Sequence, residues 1–162
     1  MTSKRPSAFS VGKNPRSAQW NHPDCLTANP CATGLTATMS GMDSRDVRIA
    51  LIGYGLAGSV FHAPLISTTP GMQLAAIVTG NQDRVDLARR MHPGADVFAT
   101  PEQLWDKGGV DCVVIATPNI THAPLALAAI SHGVAVVVDK PLAISSEQAD
   151  QVIKAADDAG VL

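Results

Sequence analysis

Arg48-Ile49-Ala50-Leu51-Ile52-Gly53-Tyr54-Gly55-Leu56-Ala57-Gly58 is a β-branched, apolar run that breaks directly into a glycine-rich turn. Its first half has the composition of a buried strand, and the residues after Gly58 read as a helix. Between the two stands G-x-G-x-x-G in the strand-to-helix context that this fingerprint requires. Gly53 is expected to make the tight turn, Gly55 to let the backbone approach a pyrophosphate, and Gly58 to let helix and strand pack closely. The helix N-terminus attracts phosphate through its free N–H groups and its dipole. Tyr54, Leu56 and Ala57 complete the turn. Similar turns hold S-adenosylmethionine or a flavin, so the fingerprint alone does not name the ligand.

Outward from this unit the punctuation repeats. Short apolar runs read as strands at Val47 to Ile52, Gln73 to Thr79, Asp96 to Phe98, Cys112 to Ala116 and Val134 to Val138, with helical patterns between them. Asn81 is placed to cap the second helix, and Thr100, Pro101 and Gln103 form a capping box for a short third one. The next helix runs from Thr121 to Ser131 and stops before Gly133; Ser145 and Gln148 start a last one that ends at Gly160. Val161 and Leu162 look like a further strand beginning. Strands alternating with helices predict an α/β fold, a doubly wound parallel sheet covered on both faces.

At 162 residues, 46% hydrophobic and 16% charged, the chain supports one core of ordinary size. A net charge of −2 offers no basic stripe for nucleic acid, and no apolar run of about 18 residues is present to span a bilayer. Residues 1–42 mix Pro, Ser, Thr, Asn, Gly and Ala without periodicity and are expected to be a disordered extension, with residues 43–162 forming the folded domain. Lys4, Arg5, Lys13 and Arg16 precede the first acid, but no apolar stretch or amphipathic helix completes a targeting signal, and Met42 stands where the folded part could start. His22, Cys25 and Cys31 lack a fourth ligand, so no metal is expected. An odd set of three cysteines, with Cys112 in an apolar run, suits a reducing cytoplasm.

Three further stretches carry chemistry. In NAD binders an acid about 20 residues past the glycines takes the adenosine ribose hydroxyl, and Val78-Thr79-Gly80-Asn81 has none. A 2′-phosphate is then not repelled, and Thr79, Asn81 and Arg84 can hydrogen-bond it, which favours NADP while leaving NAD possible; a solvated Arg84 is the plainer alternative. Thr117-Pro118-Asn119-Ile120-Thr121-His122 follows the fourth strand and Asp139-Lys140-Pro141 the fifth. Both lie at carboxyl ends of strands, the edge where open α/β sheets collect ligands. Lys140, fixed by Pro141 and desolvated after Val136-Val137-Val138, would suit proton transfer; otherwise it is a surface lysine at a strand end.

These motifs in this order resemble the glucose-fructose oxidoreductase and inositol dehydrogenase family, Gfo/Idh/MocA, from about Arg48 to Leu162. Gly53 to Pro64, with Ser59-Val60-Phe61-His62-Ala63 between, looks like its NADP-dependent scyllo-inositol dehydrogenase branch. The resemblance implies a Rossmann fold in which Lys140 bonds the reacting hydroxyl and relays its proton, while Asn119 and His122 lie along the nicotinamide half. Two departures stand out: Asp139 replaces the family's Glu and shortens any reach to the nicotinamide ribose, and Gly80-Asn81 replaces the branch's Ser-Arg. His62 is read as structural or lining the substrate mouth, and His92 and His132 as helix-end cations favoured by the dipole.

The resemblance also implies a C-terminal α/β domain that carries substrate contacts and is expected to be missing here. The expectation is therefore a truncated half of a sugar or polyol dehydrogenase that binds nicotinamide dinucleotide, turns over no substrate alone, and self-associates through uncovered apolar surface. The rival reading is a non-enzymatic NAD(P)-sensing module of the same family.

Overall fold

The computed structural model describes residues 45–162, so the expectations for residues 1–42, His22, Cys25 and Cys31 included, fall outside the described residues. The described chain builds strands β1 (Val47–Ile52), β2 (Met72–Val78), β3 (Asp96–Phe98), β4 (Cys112–Ile115) and β5 (Ala135–Val138). Its helices are α1 (Ala63–Thr68), α2 (Gln82–Met91), α3 (Pro101–Lys107), α4 (His122–Ser131) and α5 (Ser146–Ala159). The sheet is parallel throughout, in the order β3-β2-β1-β4-β5. This is the doubly wound α/β arrangement, with each expected strand found within a residue of its expected ends.

Alternation along β1 divides the core. Ala50 and Ile52 face a layer built with Ile115, Leu104, Ala126, Ile130 and Val152 from the α3, α4 and α5 side. Ile49 and Leu51 face the other way, onto Ala63 and Ile66 of α1 and Ala88 of α2. Every buried strand residue of β1 thus serves one of two apolar layers, which is why its run reads as continuously hydrophobic. The second layer does not extend beneath β5: Val137, which points to that side, is half exposed.

Local signals act as read. The Asn81 carboxamide oxygen accepts the Arg84 N–H at 3.0 Å, Gln103 Oε1 accepts from Ala99 N and Thr100 N, and Ser145 Oγ accepts from Gln148 N. Gly160 ends α5 in the left-handed conformation at φ 65°. Beyond it the Leu162 carbonyl accepts the Val136 N–H at 2.8 Å, alongside the outer edge of β5, as a strand continuing the sheet would.

One local feature differs from a regular helix. Ala57–His62 forms a wide turn of π type that runs into α1, with Ala63 N donating to Gly58 O, five residues back. Pro64 has no N–H for the carbonyl of Val60 and crowds the preceding turn, so the hydrogen-bond ladder widens just before it. Among the described residues no helix is long and apolar enough to cross a membrane, and no group of His, Cys, Asp and Glu is arranged to hold a metal.

Candidate functional site

Parallel register brings the strand ends level. Ile52 pairs with Val78 on one side and Ile115 on the other, Val78 with Phe98, and Ile115 with Val138. The loops that follow therefore share one edge, and the switch in strand order falls between β1 and β4. At that switch the chain packs without side chains. Gly53 takes φ 101°, and a Cβ there would stand 2.5 Å from Ala116 O and 2.9 Å from Thr117 Cγ2. A Cβ on Gly58 would collide with the Gly53 carbonyl oxygen.

Gly55 is different. A Cβ there would meet only Arg84 Nη1, at 3.7 Å, so the backbone of the turn lies open to a cavity of about 810 Å³. Gly53, Tyr54, Gly55, Thr79, Gly80, Asn81, Arg84, Thr117 and Pro118 are among its walls, and Ala99, Pro101, Ile120, Pro124 and Leu125 supply an apolar side. Arg84 is the one charged side chain among these lining residues, and no carboxylate is present. Asn81 spends its oxygen on the helix cap, which leaves its amide N–H groups to donate. An open glycine turn, a cation and donors at a helix start suit a phosphate-bearing dinucleotide.

The remaining expected residues divide. The Tyr54 ring is buried in the α1 and α2 layer, edge-on to His92 with centroids 5.9 Å apart, and burial raises the pKa of its hydroxyl. Leu56 is exposed, and neither it, Ala57 nor Gly58 lines the cavity. Asn119, Asp139 and Lys140 also lie outside its walls, on the adjoining loops. Lys140 is exposed, so the desolvation expected from the apolar run before it is not met by the described residues.

Asp139 is held twice. Its Oδ1 accepts the Lys140 N–H at 2.9 Å, and its Oδ2 faces His62 Nε2 at 3.7 Å. His62 thus reaches the lysine loop, a pairing that spacing along the chain could not suggest.

Two histidines stand in surroundings that the sequence did not suggest. His122, expected along the nicotinamide half, is 1% exposed, with Nδ1 at 2.7 Å from Pro141 O and Nε2 at 2.8 Å from Thr117 O. Both ring nitrogens are used within the protein, because the helix start points the ring inward between two loops. His92 sits edge-on to Tyr54, and burial there lowers its pKa, which works against the helix-end cation expected at this position. His132 does sit at its helix end, with Nδ1 at 2.8 Å from Ala128 O, and stacks on Trp105.

Residues 47–162 match the family model described as GFO_IDH_MocA, oxidoreductase family, NAD-binding Rossmann fold. The chain belongs to the Gfo/Idh/MocA oxidoreductase family. It is 43% identical over 109 residues to the uncharacterised oxidoreductase YdgJ of Escherichia coli, covering 67% of this chain and 31% of that one. It is 33% identical over 116 residues to the scyllo-inositol 2-dehydrogenase (NADP(+)) IolW of Bacillus subtilis, covering 72% and 32%. Among solved structures, the WlbA dehydrogenase of Bordetella pertussis, in complex with NADH and UDP-GlcNAcA, superposes with a TM-score of 0.69 at 30% identity, over 75% of this chain and 34% of that one. The chain spans about a third of the length of the curated relatives it matches. The described domain is therefore a nicotinamide-dinucleotide-binding Rossmann domain of an oxidoreductase family.

Proposed function

We propose that this domain binds NADP in preference to NAD and serves an enzyme that moves hydride between the hydroxyl carbon of a sugar or polyol and the nicotinamide. The observation that carries the cofactor reading is the cavity wall: Thr79, Asn81 and Arg84 offer donors and a cation, and no acid stands among the lining residues. A carboxylate there would accept ribose hydroxyls and repel a 2′-phosphate, whereas a guanidinium attracts one. The NADP named for the Bacillus subtilis relative supports the same choice.

In this reading Gly53, Gly55 and Gly58 shape the phosphate turn, with Tyr54, Leu56 and Ala57 as its backbone, Thr117 and Pro118 border the dinucleotide, and Asn119 stands next to them on the same loop, outside the cavity walls. When bound, the nicotinamide accepts or gives the hydride. Lys140 holds the reacting hydroxyl and takes its proton, and Asp139, braced by the Lys140 N–H and by His62, fixes that loop. The inositol dehydrogenases among the relatives support a polyol as substrate. The half-buried free thiol of Cys112 suits a reducing compartment such as the cytoplasm.

Titration calorimetry tests the cofactor choice. Charge-assisted hydrogen bonds to phosphate contribute about 1.5 to 3 kcal/mol, so NADP is expected to bind roughly tenfold or more tightly than NAD. Equal or tighter binding of NAD refutes it.

The exposure of Lys140 among the described residues favours a second reading, dinucleotide binding without turnover. Hydride transfer requires the alcohol carbon held over the nicotinamide, and among the described residues nothing encloses Lys140 to do so. Turnover assays with the same polypeptide separate the two readings.

A further inference from the structure

We infer that His122 is a positioning residue, stapling the loop after β4 to the loop after β5 and so setting where Lys140 stands relative to the dinucleotide; this rests on the dinucleotide reading above. The backbone pairing of the two strands ends at Ile115 and Val138, with a last bond from Asp139 N to Ile115 O at 2.9 Å. Past that point each loop is braced within itself. Thr121 Oγ1 bonds Thr117 Oγ1 and Pro118 O, both at 2.7 Å, and Thr121 N bonds Pro118 O. On the other side Lys140 N bonds Asp139 Oδ1.

Among the described residues, the hydrogen bonds that join one braced loop to the other run through the His122 ring. Its Nε2 stands 2.8 Å from Thr117 O, and its Nδ1 stands 2.7 Å from Pro141 O, the residue following Lys140. Both partners are carbonyl oxygens, which only accept, so whichever ring nitrogen carries the proton donates to the carbonyl it faces, and the ring is wedged between the two. A side chain buried to this degree, with both polar atoms engaged, has one arrangement open to it and transmits displacement rather than absorbing it. Thr117 lines the cavity and Lys140 does not, so the ring links the wall that meets the cofactor to the residue proposed to meet the substrate.

The role differs from that of a core prop in one measurable way. Relaxing the staple frees the Thr117 wall of the cavity together with the loop that bears Lys140, and leaves the Thr79, Asn81 and Arg84 side in place. The test compares NADP with 2′,5′-ADP, which carries the adenosine half alone, on the intact chain and on its His122→Gln and His122→Ala variants. Gln keeps one donor nitrogen on a flexible stem, and its oxygen cannot bond a carbonyl, so it fills the site and removes the double tie. The expected result for the Gln variant is about tenfold weaker NADP with 2′,5′-ADP changed less than about twofold. His122→Ala should repeat that pattern more strongly where it folds. A parallel loss of both ligands, or no loss of either, overturns the inference, as does failure of both variants to fold, which would make the ring a prop of the core. Absence of binding of both ligands by the unaltered chain instead refutes the dinucleotide reading itself, and the positioning role with it.

Discussion

Replacing Gly55 with Val should abolish tight dinucleotide binding while leaving the domain folded. The backbone at Gly55 does not need a positive φ, and an added Cβ would meet no atom nearer than Arg84 Nη1, at 3.7 Å on a movable side chain. The folded state therefore accommodates the branch at a cost below about 1 kcal/mol, a shift of a few degrees in the melting midpoint. The same branch fills the space through which a pyrophosphate must approach the turn. Forcing the phosphates away forfeits about two hydrogen bonds to a charged group, about 3 kcal/mol at the low end, or roughly a hundredfold or more in affinity. Calorimetric titration with NADP, read beside a thermal melt, checks both halves. Unchanged affinity in a folded variant would refute the phosphate role of this turn.

Gly58→Ala should act in the opposite sense, lowering stability by about 2 kcal/mol or more and the melting point by about 10 °C, because the methyl collides with the Gly53 carbonyl. Arg84→Ala should cut any NADP preference by about tenfold without weakening NAD, read by paired titrations. The bond from the Arg48 N–H lowers the Asp111 pKa, with help from Arg45, so its stabilisation is present above the ordinary carboxylate pKa and is lost as pH falls through the depressed value. Asp111→Asn should then flatten the acid limb of the stability curve and cost about 1 kcal/mol near neutral pH, measured by urea unfolding across pH. The chain alone should reduce no NADP with a panel of inositols and aldoses; turnover that disappears in Lys140→Ala would overturn the binding-only reading.

The parts of the fold that were legible are those decided by local chemistry. β1 and β3 have the expected bounds, and Asn81, Gln103, Ser145 and Gly160 act at the helix ends where their side chains or φ demanded it. The glycine turn was legible because strand, turn and helix constrain one another within a dozen residues. Contacts between distant segments were not. His62 meets Asp139, and His122 meets Pro141, only because parallel register levels the strand ends, and no periodicity marks a histidine whose partners are backbone carbonyls of another loop. The wide turn before Pro64 was missed for a different reason: a proline near a helix start usually fits it, and here it stands about two turns past the start at Ala57.

The packing of Gly58 on the Gly53 carbonyl, and of Gly53 on Ala116, makes an inverted map of tolerance at this edge of the sheet. In a saturation scan, positions 53 and 58 should reject every replacement alike, small or large, charged or greasy, since what is refused is the first carbon of any side chain. Position 55 should accept many residues until a dinucleotide is supplied, and then rank them by bulk. The same three-glycine signature therefore encodes two separate selections, one for having a fold and one for having a ligand, and growth under each condition would read them apart.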